Sequence, residues 1–149
     1  MSGNVIPATI GKFRVLELLG EGAMGRVFLG EDPLIGRRIA IKVMTTAGDE
    51  NSRERFLNEA RAAGQLSHPN IVQVYEFGFH EERPYLAMEF LEGQRLDQWL
   101  TAGRRHPREK MTVLLGLSRA IEHAHSRGVL HRDVKPSNLQ VLPDGTARL

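Results

Sequence analysis

The hydrophobic pattern of this chain changes period partway along, and that change limits the folds open to it more than any other feature. Up to about residue 92, apolar residues alternate in short runs. "KFRVLELLG" alternates at Phe13, Val15 and Leu18, and "RVFLGED" and "RRIAIKVM" add further runs split by Pro33 and Gly36. Short connections predict antiparallel pairing. One helix interrupts the strands: "NSRERFLNEARAAGQL" sets Phe56, Leu57, Ala60, Ala63 and Gly64 on one face, with Asn51 or Ser52 as cap and Glu54 toward the positive end of the dipole. "HPNIV" breaks it, and "IVQVYEFGF" and "PYLAMEFL" read as two more strands joined by a polar turn at His80 to Arg83. After residue 93 the period is helical. Leu96, Trp99 and Leu100 mark a short helix, and a long one spans about 108 to 127, with Met111, Leu114, Leu115, Ser118, Ile121 and His125 along one side and Gly128 placed to end it. Its closing residues, "LPDGTARL", read as a hairpin. Strands followed by helices predict the α+β class rather than a parallel α/β sheet.

Composition removes several functions. A net charge of +2, with basic residues scattered among acids, gives no nucleic-acid stripe. The chain has no cysteine, hence no disulfide framework or thiolate metal site, which fits a cytoplasmic chain. No run reaches the roughly 18 apolar residues a membrane span requires. Of the six histidines, His123 and His125 stand two apart on a helix and point to different faces, so they do not chelate together.

Chemistry is concentrated in a few stretches. "GEGAMG", Gly20 to Gly25, is a GxGxxG, a pattern that ordinary turns also produce. A dinucleotide-binding loop opens a helix, but here Arg26 to Leu29 continues as a strand, and no Gly-Lys-Ser/Thr marks a Walker loop. A glycine-rich hairpin remains, in which backbone N–H groups can approach a polyphosphate. Lys42 ends "IAIK", where a lysine also simply snorkels from a sheet edge, and Glu59 on the next helix is also simply solvated. Together, after a glycine hairpin, they suggest a carboxylate steering an ammonium toward phosphate oxygens. "HRDVKPSN" is the most specific stretch: six fixed positions match by chance roughly once in 10⁷ to 10⁸ sites at ordinary residue frequencies.

With these residues in view, the chain resembles the protein kinase family, and the Lys two positions after the Asp resembles its serine/threonine branch. "GEGAMGRV", "AIK", "NEA", "HPNIV" and "MEFLEG" agree in order and spacing, with a texture closest to bacterial members. The resemblance implies a lead at 1–11, a β-rich N-lobe with one main helix at 12–91, and part of a helical C-lobe at 92–149. It implies ATP and Mg²⁺ as cofactors and a protein Ser/Thr hydroxyl as acceptor. By it Asp133 accepts the hydroxyl proton, Lys135 screens the γ-phosphoryl, and Asn138 ligates Mg²⁺. Lys42, held by Glu59, grips the α- and β-phosphates beneath Gly20, Gly22 and Gly25, with Leu19 and Glu21 in the same hairpin. Val27 and Ala40 roof the adenine, Met88 is the gatekeeper, and Glu89 and Leu91 offer main-chain hydrogen bonds. His131 and Arg132 are scaffold.

Two departures qualify the resemblance. Gln140 is an amide where the family usually has an apolar floor under the base. The chain also matches only about the first half of the catalytic domain, "GTARL" aligning with the strand before Asp-Phe-Gly, whose Asp is expected about two residues beyond Leu149. Loss of that carboxylate costs several kcal/mol of transition-state stabilisation and predicts low activity for a truncated domain. It also predicts an exposed apolar side on the long helix, open to association. The alternatives are a non-catalytic nucleotide-binding or interaction module, and a reading frame that continues.

Overall fold

A computed structural model describes residues 6–22, 25–44, 50–131 and 134–149. The elements are β1 (Thr9–Ile10), β2 (Phe13–Gly22), β3 (Gly25–Asp32), β4 (Arg37–Val43), α1 (Glu50–Gly64), β5 (Val74–His80), β6 (Arg83–Glu89), β7 (Gln94–Arg95), α2 (Leu96–Thr101), α3 (Pro107–Ser126), a 3-10 turn (Pro136–Asn138), β8 (Gln140–Val141) and β9 (Ala147–Arg148). They form two units: Met1–Gly64 with Val74–Phe90, and Gln65–Gln73 with Leu91–Leu149. The division departs from one cut near residue 92. Gln65–Gln73 joins the helical unit because Leu66 and Ile71 bury against Ala120 and Ala124 of α3.

In the first unit six antiparallel strands run in the order β1-β2-β3-β4-β6-β5. Alternation sends Phe28, Ile39, Ile41, Tyr85 and Ala87 to one face, where they pack with Ile10 and Phe13. The sheet curls over this core. Lys12, at the β1–β2 turn near one edge, ion-pairs at 2.5 Å with Glu76 on β5 at the other. The Tyr85 hydroxyl donates to Glu76 Oε1 at 2.8 Å, and Phe13 meets the Tyr85 ring edge-on at 6.4 Å. Gly11 and Gly78 make this approach feasible, since a Cβ at either would lie 2.2 Å or 2.6 Å from the Tyr85 oxygen.

Helix α1 packs on the opposite face through Phe56, whose ring lies 5.7 Å from Phe77. It starts at Glu50, so Asn51 and Ser52 lie within its first turn and do not cap it; a cap precedes the first helical residue. The predicted polar turn between β5 and β6 is tight, with Glu81 and Glu82 both left-handed at φ 47° and 63°. The Arg53 guanidinium donates to the Glu82 carbonyl at 2.6 Å and fixes the turn to α1.

The second unit is built around α3. His106 caps it, accepting the Arg108 N–H at 3.1 Å while Glu109 accepts the His106 N–H at 2.7 Å. Gly128, at φ 74°, ends it: its N–H reaches the His125 carbonyl and that of Val129 the Ala124 carbonyl, both at 2.9 Å. The buried stripe of α3 is Val113, Gly116, Ala120 and Ala124, a face of small residues distinct from the large apolar one marked in the sequence. Met111, Leu114 and Leu115 of that predicted side are half or more exposed. Small residues win the core here because Asn70, Ala147 and Ile71 approach the helix closely. Strands β7, β8 and β9 form a small sheet whose Val141 and Ala147 pack with Trp99 and Val113.

Candidate functional site

In the first unit, the glycine stretch forms the β2–β3 hairpin, with Gly20 opposite Val27, Glu21 opposite Arg26 and Gly22 opposite Gly25. The three glycines differ physically. Gly25, at φ 148°, lies so close to β4 that a Cβ would fall 2.2 Å from the Val43 carbonyl oxygen. Among the described residues, nothing lies within 4 Å of such a Cβ at Gly20 or Gly22. One glycine thus admits the β4 backbone, and the other two are uncrowded by any described residue. Leu19 and Glu21 are exposed, and Glu21 lies 3.7 Å from the Arg26 guanidinium.

Register then gathers the predicted residues. Val27 is the cross-strand partner of Lys42, and Ala40 is the partner of Met88. Period-two alternation puts Val27, Ala40, Lys42 and Met88 on one face, the face on which α1 packs, all half-buried. Glu89 points to the core face, but its backbone continues the same edge. Lys42 and Glu59 are not joined: no ion pair within 4 Å links them, and Glu59 is exposed. An exposed carboxylate keeps its hydration, and pairing with it contributes only about 0–1 kcal/mol.

In the second unit, Lys135 and Asn138 are exposed on and beside the 3-10 turn, where the Asn138 N–H donates to the Lys135 carbonyl at 2.9 Å. Leu91 is half-buried. Gln140, on β8, faces Arg95 on one neighbouring strand and Arg148 on the other. Its Oε1 is buried and has no hydrogen-bond partner. Asp133 and Arg132 lie outside the described residues. Among the described residues no group of three or more His, Cys, Asp or Glu gathers to hold a metal, and no helix is long and apolar enough to cross a membrane.

One organising residue went unmarked in the sequence. Asn70 donates its side-chain amide to the Ala147 carbonyl at 2.9 Å, while its backbone N–H donates to His68 Nδ1 at 3.1 Å. The Asn70 carbonyl receives the Leu149 N–H, and the Leu149 carbonyl the Val72 N–H, both at 2.9 Å. "HPN" reads as a helix stop, and nothing local in it signals a partner 77 residues away. His68 also stacks on His123 with ring centroids 5.0 Å apart, a pairing across elements that spacing within one helix does not reveal.

Comparison with known proteins gives a consistent result. The family profile described as "protein kinase domain" matches residues 13–149. Serine/threonine-protein kinase PrkC of Bacillus subtilis is 38% identical over 134 residues, which are 88% of this chain and 21% of that protein. Serine/threonine-protein kinase PknA of Mycobacterium tuberculosis is 35% identical over 157 aligned residues, covering all of this chain and 36% of PknA. The crystal structure of the Mycobacterium tuberculosis PknI kinase domain superposes with a TM-score of 0.81 at 31% identity, over 94% of this chain and 58% of that one. The chain therefore spans a minor part of those curated relatives and rather more than half of that solved domain.

Proposed function

The chain belongs to the protein kinase family, and from that premise we propose that it supplies the nucleotide-binding and catalytic-loop residues for phosphoryl transfer from ATP to a serine or threonine hydroxyl of a protein. Its bacterial relatives are named serine/threonine kinases. The observation that carries the reading is the sheet register, which lines up Val27 with Lys42 and Ala40 with Met88 beside a hairpin that no described residue crowds at Gly20 and Gly22.

The residues present fit the groups such a reaction needs. A polyphosphate requires close backbone approach, and no described residue crowds Gly20 or Gly22 against it. Asn138 offers an exposed amide oxygen, a neutral hard ligand of the kind Mg²⁺ accepts. Gln140 Oε1 is a buried acceptor without a donor, suited to an N–H on the base or its neighbours. Bound Mg²⁺ supplies charge neutralisation on the phosphates. In this reading Lys42 holds phosphate oxygens, Glu59 swings in to steer it, Lys135 screens developing charge, and Asp133 takes the hydroxyl proton. Val27, Ala40, Leu19 and Met88 enclose the adenine, with Glu89 and Leu91 meeting its edge. A cytoplasmic site of action belongs to the same reading.

A second reading, a nucleotide-binding module without turnover, is favoured by the separation of Lys42 from Glu59. Two measurements on the 149-residue chain separate the two. ATP with Mg²⁺ is expected to raise the melting temperature, and labelled γ-phosphate to reach a protein acceptor slowly, with Asp133→Asn abolishing transfer. No thermal shift removes nucleotide binding altogether. A shift with no incorporation that depends on Asp133 leaves the non-catalytic module.

A further inference from the structure

Away from these residues, the Gln65–Gln73 segment is held by a histidine that acts as a hydrogen-bond acceptor: His68 Nδ1 receives the Asn70 N–H at 3.1 Å. A neutral imidazole accepting at Nδ1 carries its proton on Nε2, so the next proton it takes goes to Nδ1 itself. Protonation therefore sets one N–H against another and breaks this bond. Asn70 is also the residue that ties the segment to β9 and its neighbour, through its amide on the Ala147 carbonyl and its own carbonyl under the Leu149 N–H, both at 2.9 Å. One titrating nitrogen thus stands beneath two links between elements.

The surroundings oppose a positive charge at His68. From α3, the His123 ring lies 5.0 Å away at an interplanar angle of 32°, and its buried Nε2 has no hydrogen-bond partner, so a proton gained there meets no acceptor. Burial holds His68 below the usual histidine value, and His123 and Arg119, both on α3, add to the shift. From β9, the Arg148 guanidinium donates to the Ile71 carbonyl at 3.1 Å. The segment itself has no titratable residue besides His68, and among the described residues no carboxylate acts on it.

We propose that His68, stacked on His123 and bonded to Asn70, is a proton-operated latch that holds the Gln65–Gln73 segment on α3 and β9 at neutral pH and releases it in mild acid. The latch is complete above about pH 6.5, where His68 is neutral whether the segment is held or free, and weakens as pH falls toward the lower folded value. The segment follows directly on Gly64, the last residue of α1, so the latch governs how the chain leaves that helix. It involves none of the residues assigned to nucleotide or to phosphoryl transfer.

Amide hydrogen exchange of the full chain between about pH 7 and 5, corrected for the intrinsic pH dependence of exchange, tests the latch. The reporters are the N–H groups of Asn70, Ile71, Val72 and Leu149, which bond to His68 Nδ1 and to the carbonyls of His68, Leu149 and Asn70. The control is the pair Ile39 and Ile41 in β4, both fully buried. Protection of the four reporters is expected to fall about threefold or more toward pH 5, while that of β4 stays within about a factor of two. His68→Asn keeps an acceptor for the Asn70 N–H but does not titrate, and its reporters are expected to stay level across the same range. Imidazole nitrogen shifts of the unsubstituted chain at about pH 8 are expected to place the His68 proton on Nε2. Four results overturn the proposal: unchanged reporter protection, an equal fall in His68→Asn, an equal loss in β4, or a His68 proton on Nδ1 at the higher pH.

Discussion

At Gly25 a side chain and the Val43 carbonyl compete for the same place, whereas at Gly20 and Gly22 no described residue competes. Gly25→Ala is therefore expected to cost about 2 kcal/mol or more in urea unfolding, through steric clash and a left-handed backbone. Gly22→Ala should change stability by less than about 1 kcal/mol, so that any loss of ATP affinity in it reflects the ligand and not the fold. A second residue-scale test concerns Tyr85, whose hydroxyl is pushed up to about 12 by burial and by the adjoining Glu76 carboxylate. The folded state holds that proton more tightly than the unfolded chain. The resulting stability is complete below pH 10 or so and is lost as pH rises toward 12, a slope that Tyr85→Phe is expected to flatten in melts across that range. Spacing alone marked the glycines and Lys42, because the motif is a pattern of residue types. It did not distinguish the structural glycine from the uncrowded ones, nor show Lys42 and Glu59 apart, since both depend on distances set by the whole sheet.

Elements were more legible than their faces. The predicted long helix at about 108 to 127 is α3, Pro107–Ser126, because capping residues and Gly128 are local signals. Its buried stripe was not legible, since glycine and alanine carry little hydrophobic weight and count only when a neighbouring backbone comes near. Gly116→Ala, which would set a Cβ 2.8 Å from the Asn70 amide, is expected to cost about 1–3 kcal/mol by overpacking. Leu115→Glu, on the exposed side, should change the unfolding free energy by less than about 0.5 kcal/mol while lowering aggregation in light scattering. The contact between the Gln65–Gln73 segment and α3 also responds to pH. His68 is held below the usual histidine value by burial and then by His123 and Arg119. Its neutral form is the folded one, so the stability it contributes is present above about pH 6.5 and is lost as pH falls through the lower folded value. His68→Asn, which keeps an acceptor for the Asn70 N–H, is expected to flatten melting temperature between about pH 5 and 7.

For the molecule as a whole, the α+β division was legible from the change of period, but the interleaving was not. A single cut at residue 91 keeps Gln65–Gln73 with the strands and deprives Leu66 and Ile71 of their α3 partners. Such a fragment is expected to bind a hydrophobic dye and melt broadly. Replacing Gln65–Gln73 in it by nine Gly/Ser residues should restore a sharper transition if the sheet holds its own core. The same interleaving fixes an order of events during synthesis. The amide of Asn70 leaves the ribosome long before the carbonyl of Ala147 that it will hold, so this stretch, strung between α1 and β5, has to wait until nearly eighty more residues have been translated. Pauses in translation between Glu89 and Ala147 would lengthen that exposed interval, and holdase chaperones would find their opening there.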